Sequence, residues 1–348
     1  MLTSDTDLAA RWSRLRGEKP ALRIRDAAAS LGVSEAELVA LGVGRTATPL
    51  VNDWRALLQE MPEVGRVMCL TRNEDCVHER HGRFEDVCVT GPHGLVLGAD
   101  IDLRLFLGQW RFGFAVREPQ KRGERLSLQF FDASGDAVHK IYATEQTDRP
   151  AFEALIARHA AAVPASIATT PRPADPVDRP DSEIDVAGLR AAWAAMRDTH
   201  EFFGMLGTFK VGRVQALRLV GPEFARELPA RALRGALEAA TQDHTPVMIF
   251  VGSRGCIQIH TGPVKRLLDT PGWLNVLDPD FNLHLREPAV ARVFSVRKPT
   301  EDGVVTSIEA FDACDRTILL MFGERKPGKP ELPAWQQLVA RLEKQAAS

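Results

Sequence analysis

A single histidine lies in a pattern that could place an imidazole against a flat apolar ligand. Apolar residues near it recur at steps of three and four, which predicts that they share one face of a helix with it. The residues of this stripe are Val186, Leu189, Trp193, Met196, His200 and Phe203. A neutral imidazole in such a wall can donate a nitrogen lone pair to a metal. The alternative is a core histidine hydrogen-bonded to a backbone carbonyl, and periodicity alone does not choose between the two.

The chain contains an internal duplication. Residues 101–142 align without a gap to residues 281–322, at an offset of 180, and 11 of the 42 aligned positions are identical. The identical positions include a Phe-Asp-Ala triplet at residues 131–133 and 311–313, and the same offset pairs Cys76 with Cys256. Because residues shared by two copies mostly serve their shared fold, we expect function where the copies differ.

The stripe histidine belongs to only one copy. Alignment of residues 25–28 with residues 197–200 places Ala28 opposite His200. A functional imidazole here could be an axial ligand of a haem iron while the apolar side chains around it cover the porphyrin face, and the core histidine stays the alternative.

A strand in the first copy carries a second difference. Within residues 101–106, Asp102, Arg104 and Phe106 alternate with apolar residues and are predicted to point to one face of a sheet. The offset places His284 opposite Arg104. The alternatives are an exposed arginine on an edge strand and a histidine that serves packing. A third difference is a reversal of charge, because Glu118 stands opposite Lys298. Lys298 could bind the anionic propionates of a haem, and the alternative is a solvated lysine.

Five cysteines are spread over the chain without a CxxC pair, which argues against a disulfide framework and against a zinc ribbon. They are Cys69, Cys76, Cys88, Cys256 and Cys314. We interpret them as reduced core thiols. Three of them (Cys76, Cys256 and Cys314) are weaker candidates for iron ligands, because a buried thiol is usually inert.

Length and composition limit the class of protein. The 348 residues predict two domains of ordinary size, and no apolar run is long enough for a membrane-spanning helix. The N-terminal residues contain charges and no apolar core of a secretory signal, so we expect a cytoplasmic protein without membrane insertion. A net charge of −2 with scattered basic residues gives no reason to expect nucleic-acid binding.

The domain organisation follows from the duplication and from one proline-rich stretch. We expect an N-terminal half at 1–162, an extended linker at 163–183 with five prolines, and a C-terminal half at 184–348. In each half, helical patterns precede short alternating runs such as residues 67–71 and 126–131, and a last helix closes the half. Grouped helices and consecutive strands predict an α+β fold with antiparallel sheets.

Long motifs carry a resemblance to a known family. The stretches RDTHEFFGML, GRVQALRL, VMIFVGSRGCIQIHTGPV, FNLHLRE, VRKPTEDGVVTSIEAFD and MFGERKPG resemble the C-terminal half of the HemS/ChuS/HmuS/PhuS haem-utilisation proteins. LTRNEDCVHERHGRF and IDLRLFLGQW resemble the other half, so the similarity covers residues 10 to 345. It implies two similar α+β halves with a broad antiparallel sheet in each, and one haem in a cleft between them towards the C-terminal half.

The resemblance also implies roles for individual residues. His200 matches the family's proximal iron ligand, Arg104 matches its distal arginine, and Phe106 lies beside Arg104 on the same strand face. Basic residues near the haem propionates in the family match Arg213, Lys298 and Arg325. Histidines whose part in the site stays open are His78, His81, His260 and His284.

Two functions are compatible with this family. The protein could be a carrier that binds haem in the cytoplasm and passes it on, with a haem oxygenase or an inner-membrane haem importer as partner. It could instead degrade haem with reductant and O2, in which case Arg104 would be the distal hydrogen-bond donor of the reaction. The sequence contains no Ser-His-Asp arrangement, zinc motif or phosphate loop that suggests another chemistry.

Overall fold

A computed structural model describes residues 2–120, 123–162, 167–326 and 328–347, with side chains from residue 7 onward. The α-helices are α1 (Leu2–Glu18), α2 (Ile24–Leu31), α3 (Glu35–Ala40), α4 (Trp54–Glu60), α5 (Arg149–His159), α6 (Val186–Ala194), α7 (Glu201–Phe209), α8 (Arg213–Leu219), α9 (Ala232–Gln242) and α10 (Pro333–Ala347). None of the described helices combines the length and the apolar character needed to cross a bilayer.

The strands follow one another along the chain in two series, one in each copy of the repeat. The first series is β1 (Ala47–Pro49), β2 (Gly65–Arg72), β3 (Cys76–Arg83), β4 (Val87–Thr90), β5 (His93–Leu97), β6 (Asp102–Phe106), β7 (Phe112–Pro119), β8 (Glu124–Phe131) and β9 (Ala137–Thr147). The second series is β10 (Ala225–Leu228), β11 (Val247–Gly252), β12 (Cys256–Gly262), β13 (Leu267–Thr270), β14 (Trp273–Leu277), β15 (Phe281–Leu285), β16 (Arg292–Thr300), β17 (Gly303–Phe311) and β18 (Thr317–Gly323).

The strands form two nine-stranded sheets with strand pairs that run antiparallel. The order of the first sheet is β1-β7-β8-β9-β2-β3-β15-β14-β13, and that of the second is β10-β16-β17-β18-β11-β12-β6-β5-β4. Each sheet therefore takes six strands from one copy of the repeat and three from the other. The predicted α+β class with antiparallel sheets and flanking helices is confirmed.

Burial along the strands follows the alternation seen in the sequence. Every second residue of β2 is buried, and in β6 the two leucines are buried while the three residues between and beside them are partly covered. In an extended strand successive side chains point to opposite faces, so this alternation leaves one face for the core. The prediction that Asp102, Arg104 and Phe106 share the other face of β6 is confirmed.

The duplication extends to irregular details of the chain. The pairing of β8 with β9 shifts register between Phe130 and Phe131, and that of β17 with β18 shifts between Ala310 and Phe311, which are the positions 180 residues later. The Phe-Asp-Ala triplets lie at these points. In each copy the aspartate accepts hydrogen bonds from the backbone N–H groups two and four residues later, at distances from 2.8 to 3.1 Å. The identical triplets thus serve a shared turn.

The chain forms two compact units, each with its own core. The first unit comprises Met1–Arg72, Glu79–Pro173 and Ser253–Gln258, and the second comprises Asn73–His78, Ala174–Gly252 and Ile259–Ser348. In the first unit, α4 and α5 bury Trp54 and Phe152 with Phe130 of β8. In the second unit, α9 and α10 bury Leu237 and Trp335 with Ile308 of β17.

The proline-rich segment contains the division between the two units, at Pro173 and Ala174. Residues 163–166 of the expected linker lie outside the described residues, and residues 167–180 form neither helix nor strand. Hydrogen bonds nevertheless hold this segment at several points. The backbone N–H of Thr170 donates to the Ala133 carbonyl at 2.8 Å, and the Gln215 amide donates to the Arg179 carbonyl at 2.6 Å.

Candidate functional site

The helix expected to carry the candidate ligand is interrupted. The sequence predicts one continuous helical face from residue 186 to residue 203, but α6 ends at Ala194 and α7 begins at Glu201. The Asp198 carboxylate accepts a hydrogen bond from the His200 backbone N–H at 2.9 Å, and the Glu201 carboxylate accepts one from the Arg197 N–H at 3.2 Å. Such local side-chain bonds compete with the helical hydrogen bonds of the backbone, so the chain turns here.

The apolar stripe consequently ends before the histidine. Leu189, Trp193 and Met196 are buried as predicted, but it is Phe202 that packs in the core after the turn, while Phe203 is 67% exposed. The equivalence of His200 with Ala28 also fails in three dimensions, because Ala28 lies inside α2 whereas His200 precedes α7. These parts of the helical prediction are wrong, because a break in the helix rotates all later residues to new directions.

His200 is exposed rather than set in an apolar wall, with 91% of its side chain accessible. The alternative of a core histidine bound to a backbone carbonyl is excluded by this exposure. Its ring Nδ1 lies 2.7 Å from the Asp198 Oδ1 atom, and its Nε2 makes no hydrogen bond to any described residue. The pKa of the Asp198 carboxyl is lowered, first by the hydrogen bond from the His200 backbone N–H and then by that from its ring.

This arrangement has a clear chemical consequence. A carboxylate acceptor at Nδ1 favours the tautomer that carries its proton on Nδ1, which leaves the lone pair on Nε2. Metal-binding histidines usually donate their other ring N–H to a carboxylate, a backbone carbonyl or a water, which orients the ring and raises the basicity of the ligand nitrogen. In that tautomer the Nε2 lone pair of the exposed His200 ring would be accessible to a metal.

Two phenylalanines lie beside His200 at the start of α7. Phe203 is three residues from His200 and so lies on the same side of the helix. Its exposed ring adds apolar surface next to the imidazole. Phe202 packs inside, with its ring edge-to-face against Trp193 at 5.2 Å. The Arg213 guanidinium lies over both rings, 4.9 Å from the centre of Phe202 and 5.7 Å from that of Phe203.

Two of the predicted cations, Arg213 and Lys298, bind a buried carboxylate in the second unit. Glu309, which is fully buried, accepts hydrogen bonds from Arg213 Nε at 2.8 Å and from Lys298 Nζ at 2.9 Å. Lys298 is only 4% exposed, so the alternative of a solvated lysine is wrong. Its ammonium lies 4.3 Å from the centre of the Phe202 ring. Although burial lowers the pKa of Lys298, the charge of Glu309 opposes this effect.

Arg325 lies near the same turn. Its Nη2 atom is 4.0 Å from the Asp302 Oδ2 atom, and its charge helps to lower the pKa of Asp198. The Glu301 backbone N–H, in the neighbouring turn between β16 and β17, donates to the Arg197 carbonyl at 2.9 Å. The second unit therefore brings His200, Arg213, Lys298 and Arg325 into one neighbourhood around the start of α7.

Arg104 belongs to the first unit, as does Phe106. Strand β6 lies between β12 and β5, so the alternative of an arginine on an edge strand is wrong. The guanidinium pairs with the Asp102 carboxylate and donates to the Leu103 carbonyl at 3.3 Å. Burial raises the pKa of Asp102, an effect that the charge of Arg104 opposes. Phe106 lies edge-to-face against the His93 ring, with 6.2 Å between the ring centres.

The other histidines and the cysteines have different surroundings. His284, opposite Arg104 in the repeat, has its Nδ1 atom 2.7 Å from the Asn275 Oδ1 atom, and His260 is buried with its ring stacked on Phe281 at 3.7 Å. These contacts favour packing for both. The prediction of core thiols is correct for three cysteines but wrong for Cys88 and Cys314, which are exposed. Among the described residues, no three His, Cys, Asp or Glu side chains form a candidate site for a bare metal ion.

Three residues of this neighbourhood were missed by the sequence reasoning. Asp198 could have been found from its spacing, because an aspartate two residues before a histidine can bond to both the backbone and the ring of that histidine. Glu309 gave a weaker signal, as the one charged residue of β17, opposite Gln129 in the repeat. Nothing in the pattern distinguished Phe202 from Phe203.

The sequence model of a family described as "Haemin-degrading HemS.ChuX domain" matches residues 32–159 and 210–342. The chain belongs to the HemS family. The matched ranges contain Arg104, Arg213, Lys298 and Arg325, and His200 lies between them.

Relatives in the HemS family match nearly the whole chain. The hemin transport protein HmuS of Yersinia pestis is 41% identical over 97% of this chain and 98% of its own length. The crystal structure of holo-PhuS, a heme-binding protein from Pseudomonas aeruginosa, has a TM-score of 0.95 at 48% identity, covering 97% of this chain and 99% of PhuS. ChuS, described as an E. coli heme oxygenase, has a TM-score of 0.86 at 39% identity, with coverage of 96% and 98%. The resemblance found in the sequence is thereby confirmed.

Proposed function

We propose that this protein binds one haem through His200 and serves haem uptake and utilisation in the cytoplasm, holding the haem and passing it on. The observation that carries the proposal is the exposed imidazole whose Nδ1 bonds to Asp198 and whose Nε2 points to solvent. The family membership supports haem as the ligand, since HmuS is named a hemin transport protein and PhuS a heme-binding protein. In this function haem is cargo or substrate.

The residues near His200 fit the chemistry of haem. Haem is an apolar disc with an anionic edge, so its site needs an axial donor, apolar contacts and cations. His200 would supply the donor and Phe203 an apolar surface beside it. Arg213, Lys298 and Arg325 would supply positive charge for the propionates, as the family resemblance implies.

Arg104 is proposed as the distal group, with Phe106 beside it. A guanidinium stays protonated and cannot readily coordinate iron, but it can donate hydrogen bonds to a water or small ligand on the metal. Arg104 is held by Asp102 and is 34% exposed, so its side chain is oriented yet accessible. The assignment rests on the resemblance and on these local contacts.

A haem-degrading enzyme is the second candidate, and ChuS, described as a heme oxygenase, favours it. Haem iron supplied with electrons and O2 can support opening of the porphyrin ring with release of iron. In that case the distal donor Arg104 would act in the reaction. As a carrier, the protein would instead receive haem after import through the inner membrane, or deliver it to a separate haem oxygenase.

The ligand assignment is tested by titrating the purified protein with haemin and following the Soret band. We expect one equivalent of haem to bind, and we expect His200→Ala to lose the wild-type spectrum and much of the affinity. His244→Asn is a matched control, because His244 is another exposed histidine and its φ of 51° suits asparagine. A wild-type spectrum and dissociation constant in His200→Ala would refute the assignment.

A second experiment separates the carrier from the enzyme. The haem complex is given a reductant in air, and the products are followed by absorption and mass spectrometry. Linear tetrapyrrole products that disappear in Arg104→Ala would select degradation. Intact haem that transfers to an added apo haem oxygenase would select the carrier.

A further inference from the structure

Glu309 lies at the centre of a buried group of charges in the second unit. Its carboxylate accepts hydrogen bonds from Arg213 Nε at 2.8 Å, from Lys298 Nζ at 2.9 Å and from Ser307 Oγ at 2.9 Å. Although burial alone would raise the pKa of Glu309, the charges of Arg213 and Lys298 bring it well below its usual range. The carboxyl is therefore ionised, and by formal charge two cations and one anion give the group one net positive charge.

Folding alone gives little reason for such a group. Removing three charges from water costs much of the energy that their attraction returns, so a neutral arrangement often stabilises a fold as well or better. The first copy has a neutral amide at the position of Glu309. At the matched positions Gln129 donates to Ser127 at 3.0 Å, and Glu118 replaces the lysine. The charged group is thus a feature of the copy that carries His200.

The buried group reaches the surface next to His200 through one side chain. Arg213 uses Nε to bind Glu309, and its two Nη atoms make no hydrogen bond to a described residue. The guanidinium lies over Phe203, the exposed phenylalanine three residues after His200. The Nη donors of Arg213 are therefore held by Glu309 on the side of α7 that bears the candidate iron ligand.

We propose that Glu309 is a positioning residue for recognition of the carboxylate edge of haem. By binding Arg213 and Lys298 from behind, it holds both cations in place, so that the Nη donors of Arg213 and the net positive charge of the group can serve an anionic ligand group. Glu309 itself does not contact the haem. This inference rests on the proposed function, because it assumes that haem binds beside His200.

The test compares haem with haem dimethyl ester, in which both propionate charges are removed. Glu309→Gln keeps the size of the side chain but cannot accept charge-assisted bonds from both cations. Because one such bond changes affinity by a factor of about ten or more, we expect the dissociation constant for haem to rise about tenfold. For the dimethyl ester we expect a change smaller than about twofold, since the ester has no carboxylate for these cations to bind.

A matched control separates positioning from simple loss of stability. Glu35, which is also buried, forms an ion pair with Lys140 in the first unit. Glu35→Gln should lower the melting temperature as Glu309→Gln does, but it should leave the affinities for haem and for the ester unchanged. If Glu309→Gln does not fold, Glu309→Asp replaces it. The shorter carboxylate keeps its charge but cannot reach both cations, and the same selective loss of haem affinity is expected.

The inference is wrong if a folded Glu309 variant binds haem and its dimethyl ester with the same ratio of dissociation constants as the wild type. A drop in melting temperature with an unchanged ratio would give Glu309 a purely structural role and would equally refute positioning. The proposed function fails by a different result, which is wild-type haem binding by His200→Ala. The two failures can therefore be told apart.

Discussion

Replacement of Asp198 by asparagine tests whether this carboxylate prepares His200 for the proposed binding of haem iron. Asp198 accepts hydrogen bonds from the backbone N–H of His200 at 2.9 Å and lies 2.7 Å from its ring Nδ1. Asparagine keeps an acceptor oxygen of the same reach but removes the negative charge. The turn before α7 should therefore persist, while the imidazole loses its charged partner and with it part of the basicity of Nε2.

The size of the effect follows from the exposure of the pair. A charge-assisted hydrogen bond is about twice as strong as a neutral one, and neutral bonds contribute about 1 kcal/mol net, so the change removes about 1 kcal/mol at most. Solvent screens this pair, because the side chains are 91% and 59% exposed. Loss of such supporting contacts typically costs about 10 to 100-fold in metal affinity. Because 1 kcal/mol corresponds to a factor of about five, we expect the exposed pair to fall below that range, at about 2 to 5-fold.

Two measurements check this expectation. Soret titrations give the haem dissociation constant, and resonance Raman spectra of the ferrous complex give the iron–histidine stretching frequency, which should fall as the ligand becomes less anionic. Nitrogen NMR of the ligand-free protein reports the tautomer of His200 without any haem. Glu201→Gln is the matched control, because Glu201 is a neighbouring carboxylate that binds the Arg197 N–H and not the imidazole.

The reasoning is refuted if Asp198→Asn retains the wild-type affinity, stretching frequency and tautomer while His200→Ala loses the haem. That result would mean that His200 binds iron without help from the carboxylate. An equal effect of Glu201→Gln would also refute it, because both substitutions would then act only through the shape of the turn.

Three further predictions concern other parts of the chain. Titration should give one haem per chain, and two equivalent sites would contradict the asymmetry at His200. Arg104→Ala should change the spin state or the pH at which a bound water ionises with less effect on affinity, as absorption spectra from pH 6 to 10 would reveal; the wild-type profile would argue against a distal role. Burial lowers the pKa of His139 from 6.5 to about 3, so the protein should lose stability as the pH falls through this window. His139→Gln should flatten that loss in acid-unfolding curves, and an unchanged slope would assign the acid sensitivity to other groups.

Much of the fold was predictable because it depends on patterns of short range. Alternation of apolar residues identified the strands, and the constant offset of 180 identified the duplication. The shared triplet at 131–133 and 311–313 could be assigned to the fold, and it does form the same turn in both copies. The order of the strands in each sheet could not be predicted from the sequence, because the neighbours of β6 and β15 are set by contacts between residues far apart in the chain.

The candidate site was predictable in residue type more than in setting. His200 was selected for an apolar helical stripe, yet the chain breaks that helix and exposes the residue. The error arose because periodicity does not register a side chain that bonds to its own backbone, as Asp198 does. Lys298 was selected for its charge, but its burial depends on Glu309, which meets it across the pairing of β16 with β17.

The positions of these residues imply that ligand binding and folding depend on different parts of the second unit. His200 lies on an exposed turn, and among the described residues the only side chain that bonds to it is that of Asp198. His200 therefore contributes little to the packing of the core. Glu309 is buried among charged and apolar groups, so any change there also alters the stability of the sheet. The proposed iron ligand can therefore vary at small cost to the fold, whereas Arg213 and Lys298 are tied to the core. Substitutions at the two places should accordingly separate into losses of binding alone and losses of binding together with stability.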